Sequence, residues 1–172
     1  MAVRREFDLR TSCAMSQVVG LPLVCSLGAS DAVPGSLVRW PSGVVMADGS
    51  PCIATLGISV RYEGGLVATL EVVSGGSCPV SSGQIEEAIR ARVSAWEKAL
   101  TPRTAPLSPV LGELFDSIWL MGDEVDALLP DGQPFARGRL AGLDLWGRVT
   151  VVVEGRELEL APEQARLVPA GS

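Results

Sequence analysis

Alternating apolar and polar residues mark two strands in the first half of the chain. Apolar residues recur at every second position from Leu56 to Tyr62, and a second apolar segment spans residues 66–73. Gly64 and Gly65, which separate the two segments, can adopt positive φ angles. Because a period of two matches a pleated strand, the pattern predicts a β-hairpin over residues 53–73.

Three further elements are predicted before this hairpin. Residues 5–10 alternate as a strand, and residues 36–40 form a short strand that precedes a proline. Between them, the clustered apolar residues of 14–27 indicate a buried helix that starts or is interrupted near Pro22. Gly28 and the Pro34-Gly35 pair are expected to close this helix.

Helical periodicity begins after Ser81. Ser81 and Gln84 have the spacing of a capping box. The apolar residues that follow fall on one face of a helix: Ile85, Ala88, Ile89, Val93, Trp96 and Leu100. A second helix is predicted from Ser108 as N-cap and Pro109 as first helical residue, with Gly122 at its C-cap.

From Asp123 onward, short strands alternate with tight turns. Five strands are predicted, over residues 124–129, 135–143, 148–153, 156–160 and 166–168. Because so short a sheet must curl to cover its apolar face and edges, we expect a small β-barrel. The sequence thus predicts an α+β fold with two units: a mixed sheet with helices over residues 1–120, and the barrel over residues 121–172.

Composition excludes several classes of protein. The chain has 172 residues, of which 47% are hydrophobic and 20% charged, so it can bury a core. Its net charge of -6 disfavours binding to nucleic acid. No apolar run approaches the roughly 20 residues of a membrane span, and the N-terminus lacks a signal-peptide core. We therefore expect a cytoplasmic protein with neither a membrane nor a nucleic acid as partner.

The residues that carry catalysis in many enzymes are scarce here. There are four cysteines, no Cys-x-x-Cys pair and no histidine, so structural zinc is not expected and the thiols are predicted to be reduced. Without histidine, a Ser or Cys nucleophile has no imidazole base, which excludes the usual catalytic triad. Lys98 is the single lysine, and it falls in the helix predicted after Ser81.

Several segments, taken in order, resemble biotin-protein ligases with their C-terminal SH3-like domain. Residues 38–43 (Val-Arg-Trp-Pro-Ser-Gly) are similar to the Lys-Trp-Pro-Asn-Asp segment of that family, and residues 47–54 to the Asp-Gly-Arg-Lys-Leu-Ala-Gly segment that follows it. Residues 121–125, 136–144 and 147–151 are similar to the C-terminal pattern Leu-Gly-x-x-Val, Gly-x-Ala-x-Gly-Ile-Asp and Gly-x-Leu.

The resemblance implies an ATP-dependent activation of biotin and its transfer to a carrier lysine, with ATP and Mg²⁺ as cofactors. It covers nearly the whole chain but about the last two-thirds of the family, so the glycine- and arginine-rich loop that precedes these segments in the ligases is expected to be missing. The lysine that contacts the biotin carboxylate in the family falls on Pro51 or Cys52. The Asn-Asp pair near the adenylate becomes Ser42-Gly43, and the Gly-Ile-Gly-Ile-Asn strand ends at Glu71.

Five residues are candidates for ligand binding: Arg39, Trp40, Ser42, Cys52 and Glu71. Arg39 suits a phosphate or carboxylate, or is a solvated residue at a strand end. Trp40 suits a biotin pocket or the hydrophobic core. Cys52 also invites comparison with the cysteine nucleophile of the related octanoyl transferases, although it aligns with their lysine. No residue is assigned as catalytic or as a metal ligand.

Three functions follow as hypotheses. In the first, the chain is a catalytically degenerate ligase-like protein that binds a ligand or a partner. In the second, it is one subunit of a split biotin-protein ligase, completed by another chain that supplies the missing half or by homodimerisation, and acting on a biotin carrier protein. The third, a stand-alone ligase with altered active-site residues, has the least support.

Overall fold

The computed structural model describes residues 2–76 and 78–172, without the side chains of residues 54 and 55. Five strands form the first sheet, in the spatial order β1-β5-β4-β3-β2. They are β1 (Val3–Thr11), β2 (Ser36–Val38), β3 (Val44–Met46), β4 (Pro51–Tyr62) and β5 (Leu66–Ser74). The predicted hairpin is confirmed, with Tyr62 paired to Leu66 across the turn.

Every ladder of this sheet is antiparallel. The prediction of a mixed sheet is therefore wrong in this respect. Among the described residues, the parallel contact is an isolated bridge between Val38 and Ile118. Each strand returns beside a neighbour through a short turn or a helix, an arrangement that leaves one sheet face free for the helices to cover.

Three α-helices cover the first sheet: α1 (Leu21–Ala32), α2 (Ser82–Ala99) and α3 (Leu111–Ser117), with a 3-10 helix (Met15–Gly20) leading directly into α1. The capping box of α2 is confirmed, because the Ser81 hydroxyl accepts from the Gln84 amide at 3.3 Å and the Gln84 side chain accepts from the Ser81 amide at 2.9 Å. No helix in the described part of the chain is long and apolar enough to cross a membrane.

Helix α1 does not end at Gly28 but continues to Ala32, just before the Pro34-Gly35 pair that was also expected to close it. Gly28 lies where α1 crosses α2. A Cβ at this position would lie 2.9 Å from the Ile89 Cα and 2.9 Å from the Arg92 Cβ. The glycine therefore permits the close approach of two helices and does not terminate one.

Helix α3 begins at Leu111, with Val110 as its N-cap, and not at Pro109. The residues before it turn inward instead, because Leu107 is fully buried and its amide donates to the Leu145 carbonyl at 3.1 Å. Gly122 is not the C-cap either. The helix ends at Ser117, and Gly122 occupies a later turn with φ +90.

The C-terminal strands form a second antiparallel sheet in the order β10-β6-β7-β8-β9. They are β6 (Glu124–Leu128), β7 (Pro134–Leu143), β8 (Val149–Val153), β9 (Arg156–Leu160) and β10 (Arg166–Pro169). The α+β class is confirmed, but the described strands β9 and β10 do not pair, so the sheet is open and not the predicted closed barrel. Its buried residues belong to one hydrophobic cluster with those of the first sheet, so its apolar face is covered without closure.

We predict that Gly28→Ala destabilises the protein. The added methyl group would press against the backbone and side chains of α2, and such overpacking costs about 1–3 kcal/mol. Urea unfolding measures the change in the free energy of unfolding. The matched control is Gly112→Ala in α3, where a Cβ meets nothing within 4 Å and the helix propensity of alanine adds up to about 1 kcal/mol. Equal effects of the two substitutions would contradict this account of the α1–α2 contact.

Candidate functional site

The turn after β2, residues 39–43, is stabilised by a hydrogen bond between its ends and by another to α1. The Arg39 amide donates to the Gly43 carbonyl at 3.0 Å, and the Trp40–Pro41 peptide bond is cis. The Gly43 amide donates to the Ser26 hydroxyl of α1 at 3.0 Å. Gly43 has a φ of +121, and a Cβ there would lie 3.2 Å from the Ile53 carbonyl oxygen, so the position favours glycine.

Trp40 belongs to the core in this structure. It is 2% exposed, and its indole N–H donates to the Gly147 carbonyl at 2.9 Å. Gly147 lies in the loop between β7 and β8, so this hydrogen bond joins the turn of the first sheet to the second sheet. A buried indole needs such a partner, because an unpaired N–H away from water is costly.

A mainly apolar cavity of about 520 Å³ adjoins this turn. We call it the larger cavity. Its walls come from the start of α1, the turn, β4 and the second sheet: Val19, Pro22, Leu23, Pro41, Ser42, Leu56, Ile58, Trp146, Arg148, Ala161, Pro162 and Glu163. A concave, mostly apolar space with a few polar groups is typical of small-molecule sites.

The polar groups of the larger cavity differ in their surroundings. Arg148 is already paired with Asp144 at 2.7 Å and lies 3.4 Å from Glu159. Ser42 makes no side-chain hydrogen bond with the other described residues, so its hydroxyl can serve a ligand.

Glu71 lies on the opposite side of the first sheet from the larger cavity. Leu56 and Ile58 line that cavity, and they pair with Val72 and Leu70 of β5. Because successive side chains of a strand point to opposite faces, Glu71 points away from it. There its carboxylate pairs with Arg4 at 2.9 Å.

Cys52 is buried in β4, and its Sγ lies 2.9 Å from the Sγ of Cys78. Burial, together with the hydrogen bond to Cys78, raises the pKa of the Cys52 thiol to about 12. A neutral thiol is a poor nucleophile and a poor anchor for a carboxylate. Cys52 therefore supplies neither function at neutral pH.

A second cavity, of about 390 Å³, lies beside the same turn. We call it the smaller cavity. The turn contributes Arg39, Trp40, Pro41 and Ser42, and the second sheet contributes Leu128, Arg166, Leu167 and Val168. Burial, and to a lesser degree repulsion from Arg166, lowers the pKa of Arg39 below its ordinary value.

The structure therefore brings together three of the five sequence candidates, Arg39, Trp40 and Ser42, and separates them from Glu71 on the far sheet face. Cys52 lines neither cavity. Trp146 was expected from the sequence to pack between the two units or at a partner surface, and Arg166 carried no local signal; both approach the turn through contacts between the two sheets. For the larger cavity, the local sequence signal was the alternation of Leu56 and Ile58, which placed both side chains on one face of β4.

Solved structures of known proteins share this architecture. The apo structure of biotin protein ligase from Aquifex aeolicus matches with a TM-score of 0.69 and 14% sequence identity, covering 98% of this chain and 83% of that chain. The same ligase in complex with biotin and ATP matches with a TM-score of 0.67 and 16% identity over 98% and 79% of the two chains. The chain has a biotin-protein-ligase-like fold.

A biotin protein ligase-like protein of unknown function from Silicibacter sp. TM1040 shares the ligase-like fold as well, with a TM-score of 0.64 and 15% identity over 94% of this chain and 79% of that chain. No family model and no curated protein matches the sequence. The fold expected from the resemblance is thus confirmed, while the chemistry must be argued from the residues of this chain.

We predict that the Cys52 thiol resists alkylation in the folded protein. With a pKa of about 12 against an ordinary value of 9.0, its thiolate fraction at neutral pH is about a thousandfold smaller than that of a typical thiol. Mass spectrometry after iodoacetamide treatment should find the Cys52 peptide unmodified in native protein and modified in urea. Rapid labelling of native Cys52 would show that its pKa is not raised.

Proposed function

We propose that this chain is a catalytically degenerate biotin-protein-ligase-like protein that binds a small ligand in the larger cavity. The observation that carries the proposal is the residue at the place of the family's carboxylate-binding lysine. By resemblance that place is Pro51 or Cys52, and Cys52 is a buried, neutral thiol in contact with Cys78.

Activation of a carboxylate by ATP requires groups that stabilise the charge developing on the phosphate and the carboxylate. Neither Pro51 nor Cys52 is a cation. Lys98 is in the last turn of α2 and lines neither cavity, so it does not replace the family's lysine. Glu71, at the place of the family's asparagine, points away from the larger cavity and is paired with Arg4, so it supplies no hydrogen-bond donor to a ligand there.

The residues present do not fit a preformed magnesium site. Among residues 2–76 and 78–172, no three His, Cys, Asp or Glu side chains cluster in a way that would hold a metal ion. Magnesium is held in proteins chiefly by carboxylate oxygens together with substrate phosphates and water. We therefore assign no catalytic step to Mg²⁺ in this chain.

The larger cavity favours a ligand with an apolar body and a small polar end. Leu23, Leu56, Ile58 and Trp146 supply apolar contacts, and the Ser42 hydroxyl supplies a hydrogen bond at the rim. The Aquifex ligase of the same fold is known in complex with biotin and ATP. Biotin, ATP and biotinyl-adenylate are accordingly the first ligands to test.

We predict binding without transfer. Isothermal titration calorimetry should detect biotin or biotinyl-adenylate binding to the purified chain, because the cavity is preformed. A biotin-transfer assay with a carrier-domain lysine as acceptor should show no label above background, because the cationic anchor is missing. An active ligase of the same fold is the positive control for the acceptor. Transfer of biotin by the chain alone would contradict the proposal.

A pair of variants locates the ligand. Ile58→Trp should fill part of the larger cavity and weaken ligand binding about tenfold or more. Val60→Trp is the matched control, since Val60 lies on the same face of β4, two residues further along, and does not line the cavity. Equal affinities of the two variants would place the ligand elsewhere.

A second function, one subunit of a split biotin-protein ligase, is favoured by the edge of the first sheet. β1 is the edge strand, and among the described strands it pairs on one side only, with β5. An edge of nine residues can accept a strand from another chain or from a second copy.

A biotin-transfer assay in which this chain is combined with cell extract tests the split-ligase function. Transfer to a carrier protein that needs both this chain and the extract would favour a split ligase over a catalytically degenerate protein. A monomer by light scattering argues against completion by homodimerisation.

A further inference from the structure

Two cysteines lie side by side at the start of β4. Cys52 is the second residue of β4, Cys78 lies in the loop between β5 and α2, and their Sγ atoms are 2.9 Å apart. Both are free thiols in this structure. Because the S–S bond of a disulfide is about 2.05 Å long, the two sulfur atoms need to approach by less than about 1 Å to form one.

Backbone hydrogen bonds of Gly75 hold both cysteines in place. The Gly75 amide donates to the Cys52 carbonyl at 2.8 Å, and the Cys78 amide donates to the Gly75 carbonyl at 3.0 Å. Cys52 is also the extra residue of β4 at the point where the register against β3 shifts, and such a β-bulge redirects a side chain. The main chain of the fold therefore places the two thiols together.

The two thiols differ in their access to solvent. Cys52 is buried, whereas Cys78 is partly exposed, so a small oxidant in solution reaches Cys78 first. An accessible cysteine with a second cysteine beside it is typical of reversible redox sites, because the second thiol converts the first oxidation product into a disulfide. Cys13 and Cys25 are buried, and burial raises the pKa of both thiols, which disfavours the reactive thiolate.

We propose that Cys78 and Cys52 form a reversible oxidation site for hydroperoxides, in which Cys78 reacts first and Cys52 completes a disulfide. In the first step the Cys78 thiolate attacks the peroxide, and the O–O bond breaks. One oxygen stays on Cys78 as a sulfenic acid, and the other takes up the proton that Cys78 released and leaves as water or an alcohol.

In the second step the Cys52 sulfur attacks the Cys78 sulfur, and the hydroxyl group of the sulfenic acid leaves as water, with a proton that balances the one released by Cys52. The separation of 2.9 Å makes this step intramolecular, which offsets the scarcity of thiolate that the raised pKa of Cys52 causes. The two thiols together lose two electrons and two protons, and the hydroperoxide takes up both pairs.

The test is treatment of the full, reduced chain with hydrogen peroxide. Once catalase has removed the peroxide, the remaining thiols are alkylated in urea and the protein is digested for mass spectrometry without reduction. Trypsin cleaves after Arg61, so Cys52 and Cys78 fall in different peptides. We expect these two peptides to be joined and to have lost two hydrogens, while Cys13 and Cys25 are recovered as alkylated thiols. Dithiothreitol should separate the joined peptides, because a disulfide is reversible.

Two variants test the order of the steps. In Cys52→Ala, the Cys78 sulfenic acid has no resolving thiol, so dimedone should trap about tenfold more of it than in the unaltered chain. In Cys78→Ala, Cys52 should stay a free thiol, because the accessible cysteine that reacts first is missing. Cys13→Ala is the matched control, since it removes one buried thiol and should leave the joined peptides unchanged.

If Cys52→Ala fails to fold, as judged by circular dichroism, Cys78→Ala still decides the test, because Cys78 is partly exposed in a loop. Three results would each overturn the proposal: recovery of both cysteines as free thiols from the treated chain, irreversible oxidation of Cys78 beside an unmodified Cys52, or oxidation of Cys52 in Cys78→Ala. None of them bears on biotin binding, because neither cysteine lines the larger cavity.

Discussion

The hydrogen bond from the Trp40 indole to the Gly147 carbonyl fixes the relation between the two sheets at the candidate site. Trp40 is almost fully buried, and its partner lies in the loop between β7 and β8. The same loop is tied to the segment before α3, because the Leu107 amide donates to the Leu145 carbonyl. Both cavities adjoin the turn that Trp40 holds, so their shapes depend on this contact.

The fold and its chemistry are carried by different residues in this protein. The core residues that build the ligase-like architecture are apolar and form one cluster across both sheets. The positions that resemble the ligase active site instead carry a neutral thiol, a serine, a glycine and a carboxylate. A fold stabilised by its core can persist while the charged residues of a site change, because those residues contribute little to packing.

Elements specified by neighbouring residues were predictable from the sequence, and those specified by distant contacts were not. The hairpin follows from Gly64-Gly65 and strict alternation, and the start of α2 follows from its capping box. The start of α3 differs because Leu107 is drawn into the core. The open second sheet differs because its apolar face is covered by the rest of the protein. Of the site, the turn at Arg39 to Ser42 was predictable from resemblance, whereas the approach of Arg166 needed the tertiary structure.

We propose that this ligase-like chain does not activate a carboxylate, because the place of the family's lysine holds no cation. Biotin-dependent exchange of labelled pyrophosphate into ATP measures that step directly, without a carrier protein. We expect no exchange above the level seen without biotin. Exchange that requires biotin, catalysed by the purified chain, would contradict it.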